Sequence, residues 1–208
     1  MPRRFRVGRR SPPLIDELVD LLVIGLGNPG VEYAGTRHNV GRDVVTELCT
    51  RHDACLRKSR EHALVAEARI ADRRVALAIP QTFMNESGRP VGRLARRYGV
   101  TDLARLVIVH DEMDLPVGTV RVKQGGGLAG HNGLRSVSDH LRTRDYVRIR
   151  IGVGRPHQGQ SSADHVLRQP SPEEKTDLAE SISKAADALE GILADGIELT
   201  MGFYNARG

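Results

Sequence analysis

The order of elements in this sequence predicts an α/β fold: a single globular domain with a mixed, mostly parallel sheet and helices on both faces. Three observations carry that expectation. "LLVIG" (21–25) and the centre of "ARLVIVHDE" (104–112) are apolar without alternation, the composition of strands buried on both faces. Segments of helical period interleave with the strands instead of following them as a block. The chain of 208 residues is long enough to close one sizeable core, and it contains no internal repeat.

Each element has a local reason. Residues 1 to about 13 read as a disordered basic arm ending in "SPP", within an extension set at residues 1–20 ahead of a domain over 21–208. "GRDVVTELCTRH" (41–52) spaces Val44, Val45 and Leu48 as a helix does. "ALVAEARI" and "VALAIP" flank "ADRR" as the two strands of a hairpin. "RPVGRLARRYG" (89–99) is a basic amphipathic helix, with Val91, Leu94, Ala95 and Tyr98 on one face. Its Arg89, Arg93, Arg96 and Arg97 are open to phosphate, although a solvated helix face is the plainer outcome. "TVRVKQ" alternates as a strand with Arg121 and Lys123 on one side, and "YVRIRIGVG" (146–154) is a further strand. Between them, "GGGLAGHNG" (125–133) is a glycine loop that feeds the helix "LRSVSDHL". The last helix is marked by Ser171 as N-cap, Pro172 in its first turn and Glu174 closing a capping box.

Composition narrows the function classes. With 3% aromatic residues and no Trp, there is no broad stacking platform for single-stranded nucleic acid. Cys49 and Cys55 have neither disulfide-framework nor zinc-ligand spacing, which suits a reducing cytoplasm. The net charge is +5, and five arginines against three acids in the first twenty residues supply +2 of it. The body therefore keeps a basic bias that favours a polyanionic partner without requiring one. No run approaches membrane-spanning length, and "LIDELVDLLVIG" is broken by Asp16, Glu17 and Asp20, so no signal peptide is expected.

"VIGLGNPG" (23–30) spells a dinucleotide-binding loop, Gly-x-Gly-x-x-Gly after a strand. Its context contradicts the spelling. A helix should open inside the motif and an acidic residue should end a second strand about twenty positions on. Here Gly35 and Gly41 interrupt the stretch after Gly30, Glu47 falls within a helical period, and Pro29 removes one N–H from any phosphate cradle. No nucleotide cofactor is expected.

The strand ends collect polar groups instead. Asn28, Tyr33, Arg37, His38 and Asn39 follow the first strand, while Phe83, Met84 and Asn85 follow the hairpin. Asp111 ends the "LVIVHDE" strand, and the glycine loop brings His131 and Asn132. Open α/β sheets bind ligands beyond the carboxyl ends of their strands. No Gly-x-Ser-x-Gly elbow or thiol in a polar turn offers a nucleophile. A hard-ion or zinc site built from His38, His110, Asp111, Asp114 and His131 lacks metal-ligand spacing, and no metal is expected. A histidine oriented by a carboxylate can take a proton from water, and His38 with Asp111 is the pair chosen for that role. Asparagines beside it would read an amide or hold a water without adding charge.

These segments carry a resemblance. "GLGNPGVEYAGTRHNVG", "PQTFMNESG", "HDEMDLPVGTVRVKQGGGLAGHNGLRS" and "RIRIGVGRP", in this order, resemble the bacterial-type peptidyl-tRNA hydrolase family from about Leu22 to Tyr204. The resemblance implies hydrolysis of the ester joining a peptide to tRNA, which recycles tRNA from prematurely released peptidyl-tRNA. It implies His38 as base, Asp111 as its partner and Asn28 as the residue separating peptidyl from free aminoacyl substrates. Asn85, Asn132, Tyr33, Phe83 and Met84 would meet substrate, with His131 and the glycine loop as a gate. Arg121, Lys123 and Arg150 would meet phosphates near the tRNA 3′ end and acceptor region. A cytoplasmic monomer without metal, cofactor, membrane or protein partner is the implied working form. Two features depart from the pattern: the arginine-rich head, and Ile79 where a lysine is expected. The alternative is a non-catalytic RNA-binding paralogue of the organellar intron-splicing type, which can keep the same site residues.

Overall fold

The computed structural model describes residues 18–206, so the basic arm expected over residues 1 to about 13 lies outside the described residues. Seven strands form one sheet: β1 (Leu21–Gly25), β2 (Arg57–Lys58), β3 (Ala63–Ile70), β4 (Arg73–Pro80), β5 (Leu106–Glu112), β6 (Val120–Gln124) and β7 (Val147–Gly152), in the order β2-β3-β4-β1-β5-β7-β6. The central β4, β1, β5 and β7 are parallel. The β2–β3–β4 pairings at one edge and β6 at the other are antiparallel. This is the mixed α/β sheet the sequence predicts.

Alternation explains why the central strands look uniformly apolar. Val23, Val75, Leu77, Val107 and Val109 join one core layer, while Leu22, Ile24, Ala76, Leu106 and Ile108 join the other. The first layer packs on α1 (Val40–Arg51) and α5 (Pro172–Ala194), and the second on α2 (Gly88–Arg97) and α3 (Asn132–Leu141). Each of the larger side chains gains roughly 1.5–3 kcal/mol on burial. A one-residue slip would exchange the two sets and is strongly disfavoured.

Two glycines of the opening motif and the helix after it have a packing role. A Cβ on Gly25 would lie 2.2 Å from the Gly41 carbonyl oxygen, and one on Gly41 would lie 2.2 Å from that of Val109. The first turn of α1 therefore rests directly on β1 and β5. α1 opens only at Val40, and its start is already bonded to the "GLGNPG" turn: the Asn39 side chain holds the Asn28 backbone and the Arg42 N–H donates to the Leu26 carbonyl at 3.0 Å.

Three elements were not anticipated. The β2 pairing extends the hairpin by two residues, α4 (Ser162–Leu167) follows β7, and α6 (Ile197–Asn205) ends the described chain. A signal for α4 was present, since Ser161 caps it by accepting the Asp164 N–H at 3.0 Å. Helix α6 covers the β6 edge, where Asn205 donates to the Val122 carbonyl at 2.8 Å and accepts from its N–H at 3.2 Å. An edge strand left bare would invite another chain, and this side chain occupies it. The folded body also begins earlier than residue 21: Val19 is buried, and Asp20 accepts the Arg74 N–H at 2.8 Å.

Candidate active site

A cavity of about 740 Å³ opens beyond the carboxyl ends of β1, β4 and β5. Asn28, His38, Asn85, Asp111, His131 and Asn132 all line it, joined by Phe83 and Met84. Residues up to 104 positions apart in sequence thus meet at one place, as the strand-end argument expects.

His38 sits on a 3-10 turn (Arg37–Asn39) just before α1. Its Nδ1 lies 2.9 Å from each carboxylate oxygen of Asp111. With Nδ1–H directed at that carboxylate, Nε2 keeps the lone pair for the cavity. Burial acts to lower the His38 pKa, but the Asp111 charge and hydrogen bond outweigh it and the net shift is upward. Burial likewise acts to raise Asp111, yet His38 and His131 hold its carboxyl well below the usual range. Asp111 is therefore an anion throughout the neutral range.

His131 braces this pair from the start of α3. Its Nδ1 accepts the N–H groups of Gly133 at 3.1 Å and Leu134 at 3.3 Å, capping α3. The ring proton is consequently on Nε2, which donates to Asp111 Oδ1 at 3.0 Å. That tautomer also decides the metal question. Ligand atoms of His38, Asp111 and His131 lie within 4.8 Å of one another. For Nε2 of His131 to bind an ion, its proton would have to move to Nδ1, opposite two backbone donors. The three side chains fit a hydrogen-bonded network and do not fit a metal ion. His110 is buried on the opposite strand face, its Nδ1 2.7 Å from the Asp111 carbonyl oxygen, and burial lowers its pKa to about 3. Asp114 pairs with Arg155 at 2.8 Å, outside the network.

Asn28 is held more tightly than a turn residue requires. Asn39 clasps its backbone, accepting the Asn28 N–H at 2.8 Å and donating to its carbonyl at 3.1 Å. The Asn28 side-chain oxygen accepts the Met84 N–H at 2.8 Å. The side-chain NH2, without a protein partner among the described residues, is left for the cavity. Met84 forms part of the buried wall, its sulfur packed under Gly133. Asn85 and Asn132 are exposed at the mouth.

Some expected site residues stand elsewhere. Tyr33 does not line the cavity; it meets the ring of Phe83 edge-on at 6.3 Å, supporting the rim from behind. Arg37, one position from His38, points away and donates to the carbonyls of His165, Arg168 and Gln169, with Glu174 at 2.7 Å. It anchors the α4–α5 turn beside the site. Arg121, Lys123 and Arg150 share one sheet face at the β6–β7 edge. Arg121 donates to the Tyr204 carbonyl at 2.5 Å and Arg150 pairs with Glu112 at 3.1 Å, while Lys123 is exposed. Sequence reasoning missed Arg148. It is buried and donates to the carbonyls of Gly126 and Gly127, both at 2.6 Å, so it holds the glycine loop in place.

Fold and site together define an α/β protein with a carboxylate-oriented histidine in an asparagine-lined cleft. The chain belongs to the peptidyl-tRNA hydrolase family, whose profile matches residues 22–208. It is 49% identical over 185 residues to the peptidyl-tRNA hydrolase of Frankia alni, covering 89% of this chain and 93% of that one. It is 46% identical over 192 residues to that of Kineococcus radiotolerans, covering 89% and 96%. The crystal structure of peptidyl-tRNA hydrolase from Acinetobacter baumannii superposes with a TM-score of 0.84 at 33% identity, covering 96% of this chain and 98% of that one.

Proposed function

We propose that this protein hydrolyses the ester between a peptide and the 3′ ribose of tRNA, recycling tRNA from prematurely released peptidyl-tRNA. The observation that carries the reading is His38, held at Nδ1 by Asp111 and turned with Nε2 into an asparagine-lined cleft. His38 takes a proton from water as the water oxygen attacks the ester carbonyl. The tetrahedral intermediate collapses, the bond to the ribose oxygen breaks, and the imidazolium returns the proton to that oxygen. Asp111 keeps the ring oriented and stabilises the transient cation. A single amide or backbone donor to the oxyanion is worth about 3 kcal/mol.

Asn28 supports a preference for peptidyl over free aminoacyl substrates. Its oxygen is spent on the Met84 N–H, so its free group is a donor. Such a donor matches a carbonyl oxygen and offers nothing to an α-ammonium, whose burial beside it would go uncompensated. Asn85, Asn132 and Phe83 form the rest of the substrate cleft, and Lys123 with its neighbours Arg121 and Arg150 contacts tRNA phosphate. A monomer in a reducing cytoplasm is the form assigned, in keeping with the free thiols of Cys49 and Cys55. Among the described residues no helix is long and apolar enough to cross a membrane.

The test is turnover of N-acetylaminoacyl-tRNA by the purified chain in chelator. Hydrolysis that disappears in His38→Ala supports the reading. Tight tRNA binding without turnover would assign the chain to the non-catalytic RNA-binding alternative.

A further inference from the structure

We propose that the outer face of α2 is a second phosphate-binding track, which takes the backbone of the tRNA body away from the 3′ end held in the cleft. The inference rests on tRNA as the substrate and adds where the rest of the molecule lies.

Arg89, Arg93 and Arg96 fall at i, i+4 and i+7 of α2, so they form one stripe about 10.5 Å long at 1.5 Å per residue. Val91, Leu94 and Ala95 occupy the opposite, buried face. None of the three arginines makes an ion pair or side-chain hydrogen bond among the described residues. Their neighbour Arg97 shows the contrast: it pairs with Glu61 at 3.1 Å and lies over the Tyr98 ring. Glu86, on the turn just before α2, and Asp139, on the α3 helix packed against it, are exposed and pair with none of the stripe. A row of like charges four and three residues apart is mildly self-repelling, a cost that a polyanion removes.

Position makes the stripe relevant to the cleft. Asn85, at the cavity mouth, lies three residues before α2 begins at Gly88. The Gly88 N–H donates to Ser136 Oγ at 3.0 Å, and a Cβ there would meet the Ser136 carbonyl oxygen at 2.0 Å. Arg89 and the cavity-lining Arg135 each stand one residue from that contact, on different helices. Arg135 is also exposed and without an ion pair among the described residues. Free guanidinium groups therefore lead from the mouth of the cavity along α2. Three guanidinium groups in one row can each meet a phosphate of a single backbone segment. Guanidinium groups contact phosphate without reading sequence, which suits an enzyme meeting many tRNAs.

The experiment compares the full chain with the triple variant R89Q/R93Q/R96Q on two substrates: N-acetylaminoacyl-tRNA, and an N-acetylaminoacyl trinucleotide that carries only the 3′ end. Glutamine keeps helix propensity, and unchanged unfolding midpoints verify the fold. The expected result is a KM for the full-length substrate about tenfold higher, with kcat and trinucleotide turnover unchanged. The slope of log K against log salt should fall by about 2 to 3 for the full-length tRNA. Wild-type KM and salt slope in the variant would overturn the track, as would an equal loss on the trinucleotide. Failure of the parent chain to hydrolyse either substrate would instead overturn the proposed function.

Discussion

The rim of the cleft and the outer face of α2 treat polar groups in opposite ways. At the rim each orienting group has a partner: Asp111 receives His38 and His131, His131 receives two backbone donors, and Asn28 receives Met84. On α2, Arg89, Arg93 and Arg96 receive nothing from the described protein. The β6–β7 edge lies between these extremes, since Arg121 and Arg150 are already held by Tyr204 and Glu112 while Lys123 is exposed. A satisfied network fixes geometry, which chemistry at one atom needs. An unsatisfied charged face keeps its interaction free energy for a partner, which recognition of a long backbone needs.

The contrast can be broken most sharply at His38. His38→Ala should lower kcat on N-acetylaminoacyl-tRNA by about 10²–10⁴-fold while leaving tRNA binding in place. Retained turnover would end the claim that the rim network does chemistry. Gly41→Ala should show how rigid the rim's foundation is. A Cβ 2.2 Å from the Val109 carbonyl forces α1 off the sheet and should cost about 1–3 kcal/mol in urea unfolding. An unchanged midpoint would mean that α1 is not seated as described.

A subtler probe is the pH profile. The Asp111 carboxylate raises His38 and burial alone lowers it, so the acidic limb of kcat/KM should lie above the ordinary histidine value near 6.5. In Asp111→Asn the charge goes and burial stays, so the limb should move to lower pH along with a loss of rate. A limb that stays in place would remove Asp111 as the source of the shift. The smallest expected effect is in Asn28→Ala. It should narrow the preference for N-acetylated over free aminoacyl-tRNA by roughly tenfold, the worth of one uncompensated polar contact of about 1–2 kcal/mol. An unchanged ratio would show that the Asn28 amide does not read the substrate.

Much of this was legible locally. The alternating core layers, the hairpin, α2 and the Ser171–Pro172–Glu174 start of α5 follow from side-chain period and capping chemistry, and α5 carries that capping box. The site was legible as a set of strand-end residues, and His38 with Asp111 as a pair. The α6 helix was missed because its partner is the distant β6 edge. Tyr33 belongs to the right segment but meets the cavity only through Phe83, because a turn's sequence does not say which side chain faces the cavity.

Sequence alone therefore determined which segments are buried, where α1, α2 and α5 begin to within a residue and which residue types gather beyond the strands, because those depend on neighbours within a turn or two. Only the tertiary structure decided three further points: the proton of His131 is on Nε2, Asn28 offers a donor, and Arg89, Arg93 and Arg96 of α2 are without a protein partner among the described residues. Each is set by a hydrogen-bond partner, or the lack of one, and the partners include ones far along the chain, such as Asn28 and Met84, 56 residues apart. Periodicity carries no information about such pairs, and the chemistry of the site depends on them.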